Sequence, residues 1–210
     1  MNSLKCKNLK VSFTLNSDID LSLAKQKCFI SENRTSFIIR HQVLSCVFTI
    51  YRHSLSCLHC TGINQACMIS DIIEFIRIEL ENQVISTSID NSLFTCKQNC
   101  LISLNDIIQK IQNTEDPIYF CQYINEIFPA LFLKSKFKKS GIPSIIIFHN
   151  SSYVIIGGKC VKRVKEADAF VKILFSKIWI KQQTHMQQWT VIQKQYLWMQ
   201  SFYQLSLFWK

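Results

Sequence analysis

Basic side chains in the second half of the chain are the residues with the clearest chemistry. Eight lysines and arginines lie between positions 134 and 165, and the whole chain carries a formal net charge of +10. Such clusters neutralise phosphates, and nucleic acid is the usual acidic partner of a basic chain. The alternative is a solvated basic surface, but clustering beside predicted strands favours a surface that faces phosphates. The cluster consists of Lys134, Lys136, Lys138, Lys139, Lys159, Lys162, Arg163 and Lys165.

Cysteines are the second group with possible chemistry, and the chain has ten of them. Cys57 and Cys60 have the spacing of metal ligands, with Cys67 close behind. A structural zinc site usually draws four ligands from two paired clusters, and no second pair follows. We therefore expect no metal, place Cys57 and Cys60 at a hairpin, and predict mostly reduced thiols. A zinc ion held by Cys57, Cys60 and Cys67 stays an open alternative.

Catalytic patterns are weak throughout the chain. None of the five histidines pairs with a serine, cysteine or aspartate in a recognisable arrangement, and four glycines leave no P-loop or dinucleotide-binding motif. We predict that the protein is not an enzyme and needs no cofactor. A small β-rich enzyme is the weakest alternative, because no nucleophile and base stand at a recognisable spacing.

The composition is that of a folded domain pair. Hydrophobic residues make up 48% and charged residues 18% of the chain, which excludes a disordered protein. No apolar run approaches the roughly 18 residues of a membrane helix, and the N-terminus lacks a signal-peptide core. We expect a soluble, non-secreted protein with no membrane partner.

Several features occur twice in the same order. Two asparagines, 83 positions apart (91 − 8), each open a run of alternating apolar and polar residues. Each run is followed by an apolar segment that ends in a base, a strand that ends in an aromatic, and a strand that ends in glycine. This order predicts an internal repeat. The matched pairs are Asn8 and Asn91, Arg40 and Lys134, Tyr51 and Phe148, and Gly62 and Gly157.

Periodicity predicts strands and helices within each copy. Alternation over 8–15 predicts a strand with one buried face, and the next strand pair turns at His53 and Ser54. A short helix over 19–24 is predicted, with Asp18 or Ser22 as its cap.

Two longer helices have an apolar stripe at helical spacing. The first covers 69–80 and the second about 161–178. Helices and strands in this order predict an α+β fold with the helices on one face of an antiparallel sheet. The stripes are Ile72, Ile73, Ile76 and Leu80 in the first, and Val164, Ala167, Phe170, Val171 and Leu174 in the second.

These motifs, in this order along the chain, resemble the core of the TATA-box-binding protein (TBP) family. Residues 123–131 read Tyr-Ile-Asn-Glu-Ile-Phe-Pro-Ala-Leu and look like that family's Tyr-x-Pro-Glu-Leu-Phe-Pro-Gly-Leu. Ile147 and Phe148, followed by Gly157-Gly-Lys159, resemble its next strand pair and turn. In the first copy the matches are Asn8, Asp20-Leu21, Ile39-Arg40 and Cys60-Thr61-Gly62.

The resemblance covers about residues 6–179 and lies in order and spacing more than in identity. It implies an α+β fold in which two pseudo-symmetric repeats form a saddle-shaped antiparallel β-sheet, with helices on the convex face. The implied units are a first repeat over 6–84, a second repeat over 85–180, and a Gln- and aromatic-rich extension over 181–210.

The family's function implies a site on the concave face of the sheet. A TBP-like protein is expected to enter the minor groove of promoter DNA, lever base steps apart with apolar wedges and bend the duplex. The resemblance also implies a role in transcription initiation in the nucleus. TFIIA- and TFIIB-like factors are the implied partners, with Glu126 at the TFIIB contact. The implied DNA-binding residues are Asn8, Lys10, Arg40, Tyr51, Thr61, Asn91, Leu93, Phe128, Pro129, Lys134, Phe148, Ile156 and Lys159.

Departures from the family concentrate in the first copy. Arg34 and Tyr51 stand where it has wedge phenylalanines, Lys10 replaces an apolar residue, and Ile156 replaces a threonine. The first hairpin turn, before Gly62, is expected to be about two residues longer. These changes predict a weak or absent kink in the first half and put TATA preference in question. They also support the alternative, a protein-interaction module that has lost DNA binding.

Two segments lie outside the repeat pattern. The tail over 181–210 fits either a partner-binding amphipathic helix or a lineage-specific extension. The segment over 108–121 is expected to be a loop longer than the family needs.

Overall fold

The described residues form one ten-stranded antiparallel sheet with four helices. A computed structural model describes residues 3–98, 100, 102–115, 118–123, 129–137 and 141–179. The predicted tail over 181–210 lies outside them. In chain order the elements are β1 (Lys5–Leu15), α1 (Leu21–Lys27), β2 (Ile30–Glu32), β3 (Ser36–His41), β4 (Cys46–Tyr51), β5 (Ser54–Ile63), α2 (Met68–Glu79), β6 (Val84–Lys97), α3 (Leu104–Gln112), β7 (Tyr119–Gln122), β8 (Ala130–Ser135), β9 (Ser144–Phe148), β10 (Ser152–Ile156) and α4 (161–179).

The strand order places β1 and β6 at the centre of the sheet. The order is β2-β3-β4-β5-β1-β6-β10-β9-β8-β7, so the outermost strands are β2 and β7. In the central pair, Asn8 lies opposite Leu93, and Lys10 lies opposite Asn91. The pairing is unchanged when each residue is exchanged with its counterpart 83 positions away (91 − 8 and 93 − 10). The predicted α+β class with an antiparallel sheet is confirmed.

Hydrophobic alternation explains how the strands pack. Leu9, Val11, Phe13 and Leu15 of β1 are at most 8% exposed, whereas the residues between them are not buried. The predicted strand over 8–15 is thus confirmed, and it begins earlier, at Lys5. Two core clusters form, one in each half of the sheet, where the buried side chains of the strands meet the helices.

The two short helices begin at side-chain caps. Asp20 caps α1, because its Oδ1 accepts hydrogen bonds from the backbone N–H groups of Ser22 at 2.8 Å and Leu23 at 3.1 Å. The prediction of Asp18 or Ser22 as the cap was wrong, since the helix begins at Leu21. Ser103, 83 positions after Asp20 (103 − 20), caps α3 in the same way. The predicted loop over 108–121 is also corrected, since 108–112 belong to α3 and β7 begins at Tyr119.

The stripe of α2 differs from prediction in one contact. Ile72 and Ile76 are buried as expected, but Ile73 is 37% exposed, and Phe75 is buried in its place. The helix turns by about 100° per residue, so Phe75 joins the face of Ile72 and Ile76. Phe75 stacks on Phe48 of β4 with ring centroids 5.0 Å apart.

The stripe predicted for α4 is confirmed. Val164, Ala167, Val171 and Leu174 are at most 6% exposed, and Phe170 packs against the same cluster. None of the helices that the structure describes is long and apolar enough to cross a membrane.

A buried polar contact also holds α4 against the sheet. The Tyr153 hydroxyl donates to Asp168 Oδ1 at 2.5 Å, and Lys172 Nζ donates to Asp168 Oδ2 at 2.6 Å. Burial raises the pKa of Tyr153, and the Asp168 carboxylate raises it further. The tyrosine therefore stays a hydrogen-bond donor across the physiological range.

The β4–β5 hairpin corrects two predictions. Tyr51 pairs with Ser54, so the turn consists of Arg52 and His53 rather than His53 and Ser54. The turn is tight, and the additional residues are absorbed by a register shift within β5, where Ile50 pairs with Leu58. Extra residues placed in a strand bend it and increase its local twist.

The two cysteines of the CxxC pair lie within β5, not at the hairpin. Cys60 is fully buried in the core, whereas Cys57 belongs to the opposite face. Residues three apart on a strand point to opposite faces, so this spacing does not form a chelate. Within the described ranges, no three histidine, cysteine or acidic side chains are placed to hold a metal.

Gly158 is expected to tolerate no side chain. A Cβ at this position would lie 2.3 Å from Val164 Cγ2 of α4 and 3.0 Å from Ser92 Oγ. Gly158→Ala should therefore lower the free energy of unfolding by about 1–3 kcal/mol, through overpacking between strand and helix. Urea denaturation followed by circular dichroism measures this loss.

A double-mutant cycle provides the control for Gly158. Removing the methyl groups of Val164 in a Val164→Ala background should reduce the cost of Gly158→Ala, since the nearest clash disappears. An equal cost in both backgrounds would contradict the packing argument.

Candidate nucleic-acid interface

The sheet has one face that none of the described helices covers, and we call it the open face. In β9 and β10, Ile147 and Ile155 are fully buried under the helices, while Ile146 and Val154 are half-buried and point the other way. The same alternation divides β1, β4, β5 and β8 into core and open-face positions. As far as the described residues go, this face is left for contact with a partner.

Arg40, Tyr51 and Thr61 all fall on the open face of the first half. Arg40 of β3 pairs with Val47, which in turn pairs with Thr61 of β5. Arg40 is exposed and lies on the second strand from the sheet edge. Tyr51 lies at the end of β4, with its ring 5.1 Å from that of His59.

Leu93, Ile156, Phe148 and Lys134 fall on the open face of the second half. Leu93 pairs with Ile156 across β6 and β10. Phe148 ends β9 opposite Ala130 and is half-buried. Lys134 is exposed on β8, again the second strand from an edge.

The two asparagines lie at the centre of the sheet with their oxygens engaged. Asn8 Oδ1 accepts from the Gly62 N–H at 2.8 Å, which fits the positive φ of 95° at that glycine. Asn91 Oδ1 accepts from the Ser92 N–H at 2.8 Å. Within the described residues neither Nδ2 group donates a hydrogen bond, so both remain available as donors. Donors match the acceptor atoms that adenine and thymine present in the minor groove.

The remaining predicted residues lie at strand ends or outside the described ranges. Pro129 is exposed just before β8, and Lys159 is exposed after β10. Phe128 and Glu126 lie outside the described residues.

The predicted cluster of lysine and arginine side chains does not form one surface. Lys162, Arg163 and Lys165 belong to α4, which packs against the opposite face of the sheet. Arg163 forms a 2.9 Å ion pair with Glu166 on the same helix. Proximity in sequence was misleading because the chain crosses from one face of the sheet to the other after β10. Lys134 stays on the open face, and Lys138 and Lys139 lie outside the described residues.

Sequence reasoning missed two rows of open-face residues that cross the strands. The row in the second half is apolar apart from Thr95, whereas the row in the first half is mostly polar. Each row is a set of paired residues at alternate strand positions, and this alternation was the signal that could have found them. The rows are Phe132, Ile146, Val154 and Thr95 in the second half, and Ile38, Thr49, His59 and Ser12 in the first.

A polar cluster at the centre of the open face joins Ser12, His59 and Asp90. The Ser12 hydroxyl donates to Asp90 Oδ2 at 2.5 Å and lies 2.7 Å from His59 Nδ1. Because the serine hydrogen is used by Asp90, His59 must carry a hydrogen on Nδ1. Nε2 lies 3.7 Å from Cys57 Sγ. Burial and the nearby Asp90 raise the pKa of Cys57, which keeps this thiol protonated.

The cluster differs from a catalytic relay. In a Ser-His-Asp triad the serine and the aspartate bond to different ring nitrogens. Here both lie against Nδ1, since Asp90 Oδ2 is also 3.3 Å from that atom. The arrangement fixes the Asp90 carboxylate rather than activating the serine.

Asp90 should stabilise the fold in a pH-dependent way. Burial alone would raise its pKa, but hydrogen bonds from Ser12 and His59 and the charge of Lys10 hold that pKa below its ordinary value of 3.8. A lowered pKa means that the ionised group stabilises the folded state above the unfolded pKa, and that this contribution is lost as the pH falls through the folded pKa.

As the pH falls, the wild type and Asp90→Asn are expected to become more similar in free energy of unfolding. The advantage of the wild type in free energy of unfolding should shrink between about pH 5 and pH 3, as Asp90 becomes protonated. Denaturant titrations at each pH measure it. In a Ser12→Ala background the narrowing should be smaller because one donor is gone, and an advantage that stays constant with pH would contradict the assignment.

The ten-stranded order and the helix-free face belong to a fold that is similar to that of the TATA-box-binding proteins. The structure of Methanococcus jannaschii TBP matches with a TM-score of 0.67 at 22% sequence identity, over 84% of this chain and 99% of that chain. The TBP-like fold expected from the sequence is thereby confirmed.

The other comparisons add no function. A crystal structure of A. aeolicus tRNASec in complex with M. kandleri SerRS matches at 8% identity over 86% of this chain and 31% of that one. Its TM-score of 0.40 is too low to indicate a shared fold. No family model and no curated protein matches the chain.

Proposed function

We propose that the protein is a TBP-like transcription initiation factor that lays its open face in the minor groove of promoter DNA. One observation carries the proposal. Arg40 and Lys134 lie on the second strand from each edge, and the residues between them on the open face are largely neutral. A duplex in the minor-groove mode presents its floor to the centre of such a surface and its phosphates to both flanks.

A two-repeat organisation, which we also propose, fits the same function. We propose that 6–84 and 85–180 form two repeats related by a pseudo-two-fold axis between β1 and β6, giving the sheet a saddle shape. The central pairing that survives an exchange by 83 positions supports this axis. A concave sheet with this symmetry fits the approximate two-fold symmetry of a duplex.

The two halves are expected to act differently on DNA. Phe148 ends a strand at the apolar row of the second half, as an inserted wedge requires. Phe128 is proposed as its partner wedge. Tyr51 at the matching place in the first half is amphipathic, packs beside His53 and His59, and is flanked by the polar row. The kink should therefore be stronger in the second half.

Partner factors are proposed at the ends of the sheet. β2 and β7 each have only one strand neighbour among the described strands. A free strand edge can pair with a strand of another protein. TFIIA- and TFIIB-like factors are the proposed partners, with Glu126 as a TFIIB contact, and the nucleus as the site of action.

The test is a titration of fluorescently labelled duplexes, AT-rich and GC-rich, at two salt concentrations. We expect binding that weakens steeply with salt, because the basic side chains at the two flanks displace counterions from the DNA phosphates. Arg40→Ala and Lys134→Ala should each lower the salt slope by about one. Arg77→Ala is the matched control, since Arg77 lies on α2 and pairs with Glu74. Tight binding without a salt dependence would overturn the proposal.

A second candidate is a protein-interaction module that has kept the fold and lost DNA binding. The observation in its favour is the Asp90 carboxylate on the open face, because its negative charge is repelled by the polyanionic duplex as a whole. A folded protein that binds neither duplex at low salt would support this candidate over the first.

A further inference from the structure

Asp90 reaches the open face through an irregularity in β6. Val11 pairs with Ile89 and Lys10 with Asn91, so Asp90 has no opposite residue in β1. An extra residue of this kind forms a β-bulge, which re-aims its side chain. The bulge places the carboxylate against the open-face residues Ser12 and His59.

One carboxylate oxygen of Asp90 is fixed and the other is free to accept. Oδ2 receives the hydrogen bond of Ser12 and faces His59. Among the described residues, no group donates to Oδ1. The side chain is 31% exposed, and it lies in the central strands where Asn8 and Asn91 also present their polar groups. The Asp90 carboxylate is thus a fixed hydrogen-bond acceptor at the centre of the open face.

The chemistry of the minor groove decides what this acceptor can bind. Adenine N3 and thymine O2 are acceptors, and so are unsuitable partners for a carboxylate. The 2-amino group of guanine is the one donor that base edges present there. Lys10, beside Asp90, offsets part of the repulsion between the carboxylate and the phosphates.

We infer that Asp90 accepts a hydrogen bond from the 2-amino group of a guanine, so that the protein selects a G·C pair at one central position of its site. This inference rests on the proposed function. It makes the site a mixed one, in which donors such as Asn8 Nδ2 suit A·T pairs and Asp90 suits a single G·C pair. The bulge and the Ser12–His59 support are what position the acceptor.

Inosine is the probe that tests this hydrogen bond alone. An I·C pair lacks only the 2-amino group of G·C. One G·C pair is moved stepwise through a short AT-rich duplex, and each duplex is compared with its I·C counterpart by fluorescence anisotropy at fixed salt. We expect one position where inosine weakens binding by about 5- to 10-fold, the low end of the range for a base contact. Asp90→Ala should remove this difference.

Two controls keep the outcome decisive. Asp90→Asn retains an acceptor oxygen and should keep part of the inosine effect, while Glu74→Ala on α2 should keep all of it. Equal binding of G·C and I·C duplexes at every position by the wild type would overturn the inference and leave the proposed function intact. Failure to bind any duplex would overturn both, whereas an inosine effect that persists in Asp90→Ala would assign the contact to another residue.

Discussion

Phe148→Ala is expected, on the proposed wedge role, to remove most of the DNA bend and to weaken binding about 10-fold or more, because a stacked aromatic contributes roughly 1–3 kcal/mol. Phe148 stands where β9 ends, with its side chain on the open face beside the apolar row. An inserted wedge offsets the cost of unstacking a base step by contacts that only the bent duplex makes. Energy transfer between dyes at the duplex ends measures the bend, and anisotropy measures the affinity.

Tyr51→Ala is the matched comparison for Phe148→Ala. Tyr51 ends the corresponding strand of the first half, so the two substitutions test which half supplies the kink. We expect a smaller loss of bend for Tyr51→Ala, and none for Ile173→Ala, whose side chain is exposed on α4. An unchanged bend in a folded Phe148→Ala protein would remove the wedge assignment.

Phe48→Ala is expected to give the largest loss of stability, about 3–5 kcal/mol in free energy of unfolding, which is the usual cost of truncating a buried phenylalanine. Phe48 is fully buried in the first core and stacks on Phe75, which is itself only 7% exposed. The substitution removes the stacking contact between β4 and α2 and leaves a cavity. Guanidinium denaturation followed by circular dichroism measures the change.

Phe29→Ala is the control for Phe48→Ala. Phe29 lies in the same half of the protein but is 80% exposed, so its truncation should change stability by no more than about 0.5 kcal/mol. Similar losses for both variants would mean that the Phe48 core is not the principal stabilising contact of the first half.

Most of the fold could be predicted from periodicity and repeated order. The strand over 8–15 and the helix over 161–178 have one apolar face each, and burial of that face leaves a single choice of structure. Errors arose where two local solutions compete. Asp18, Asp20 and Ser22 are all residue types that cap helices well, and in the structure Asp20 makes the capping hydrogen bonds. Likewise Ile73 and Phe75 are both apolar, and the position of Phe48 decides which one is buried.

The candidate site could be predicted in part. Arg40, Tyr51, Thr61 and Phe148 were correctly placed on strands, and their shared face follows from period-two alternation. The prediction that the basic residues form one surface was wrong, because the chain changes face after β10. Lys162, Arg163 and Lys165 therefore lie on the side of the sheet opposite to Lys134. A charge count along the sequence has no means of showing which side of a sheet each charge occupies.

The sequence by itself determined the principal strands and helices and most of their buried faces, because these depend on residues that are close in the chain. Only the tertiary structure decided that Asp90, Ser12 and His59 meet, that Cys57 and Cys60 diverge, and that the two halves of the open face differ in polarity. Each of these depends on register between strands and on a bulge that shifts it. Register is set by pairing across many residues of intervening chain, and a shift of one residue moves a side chain to the other face.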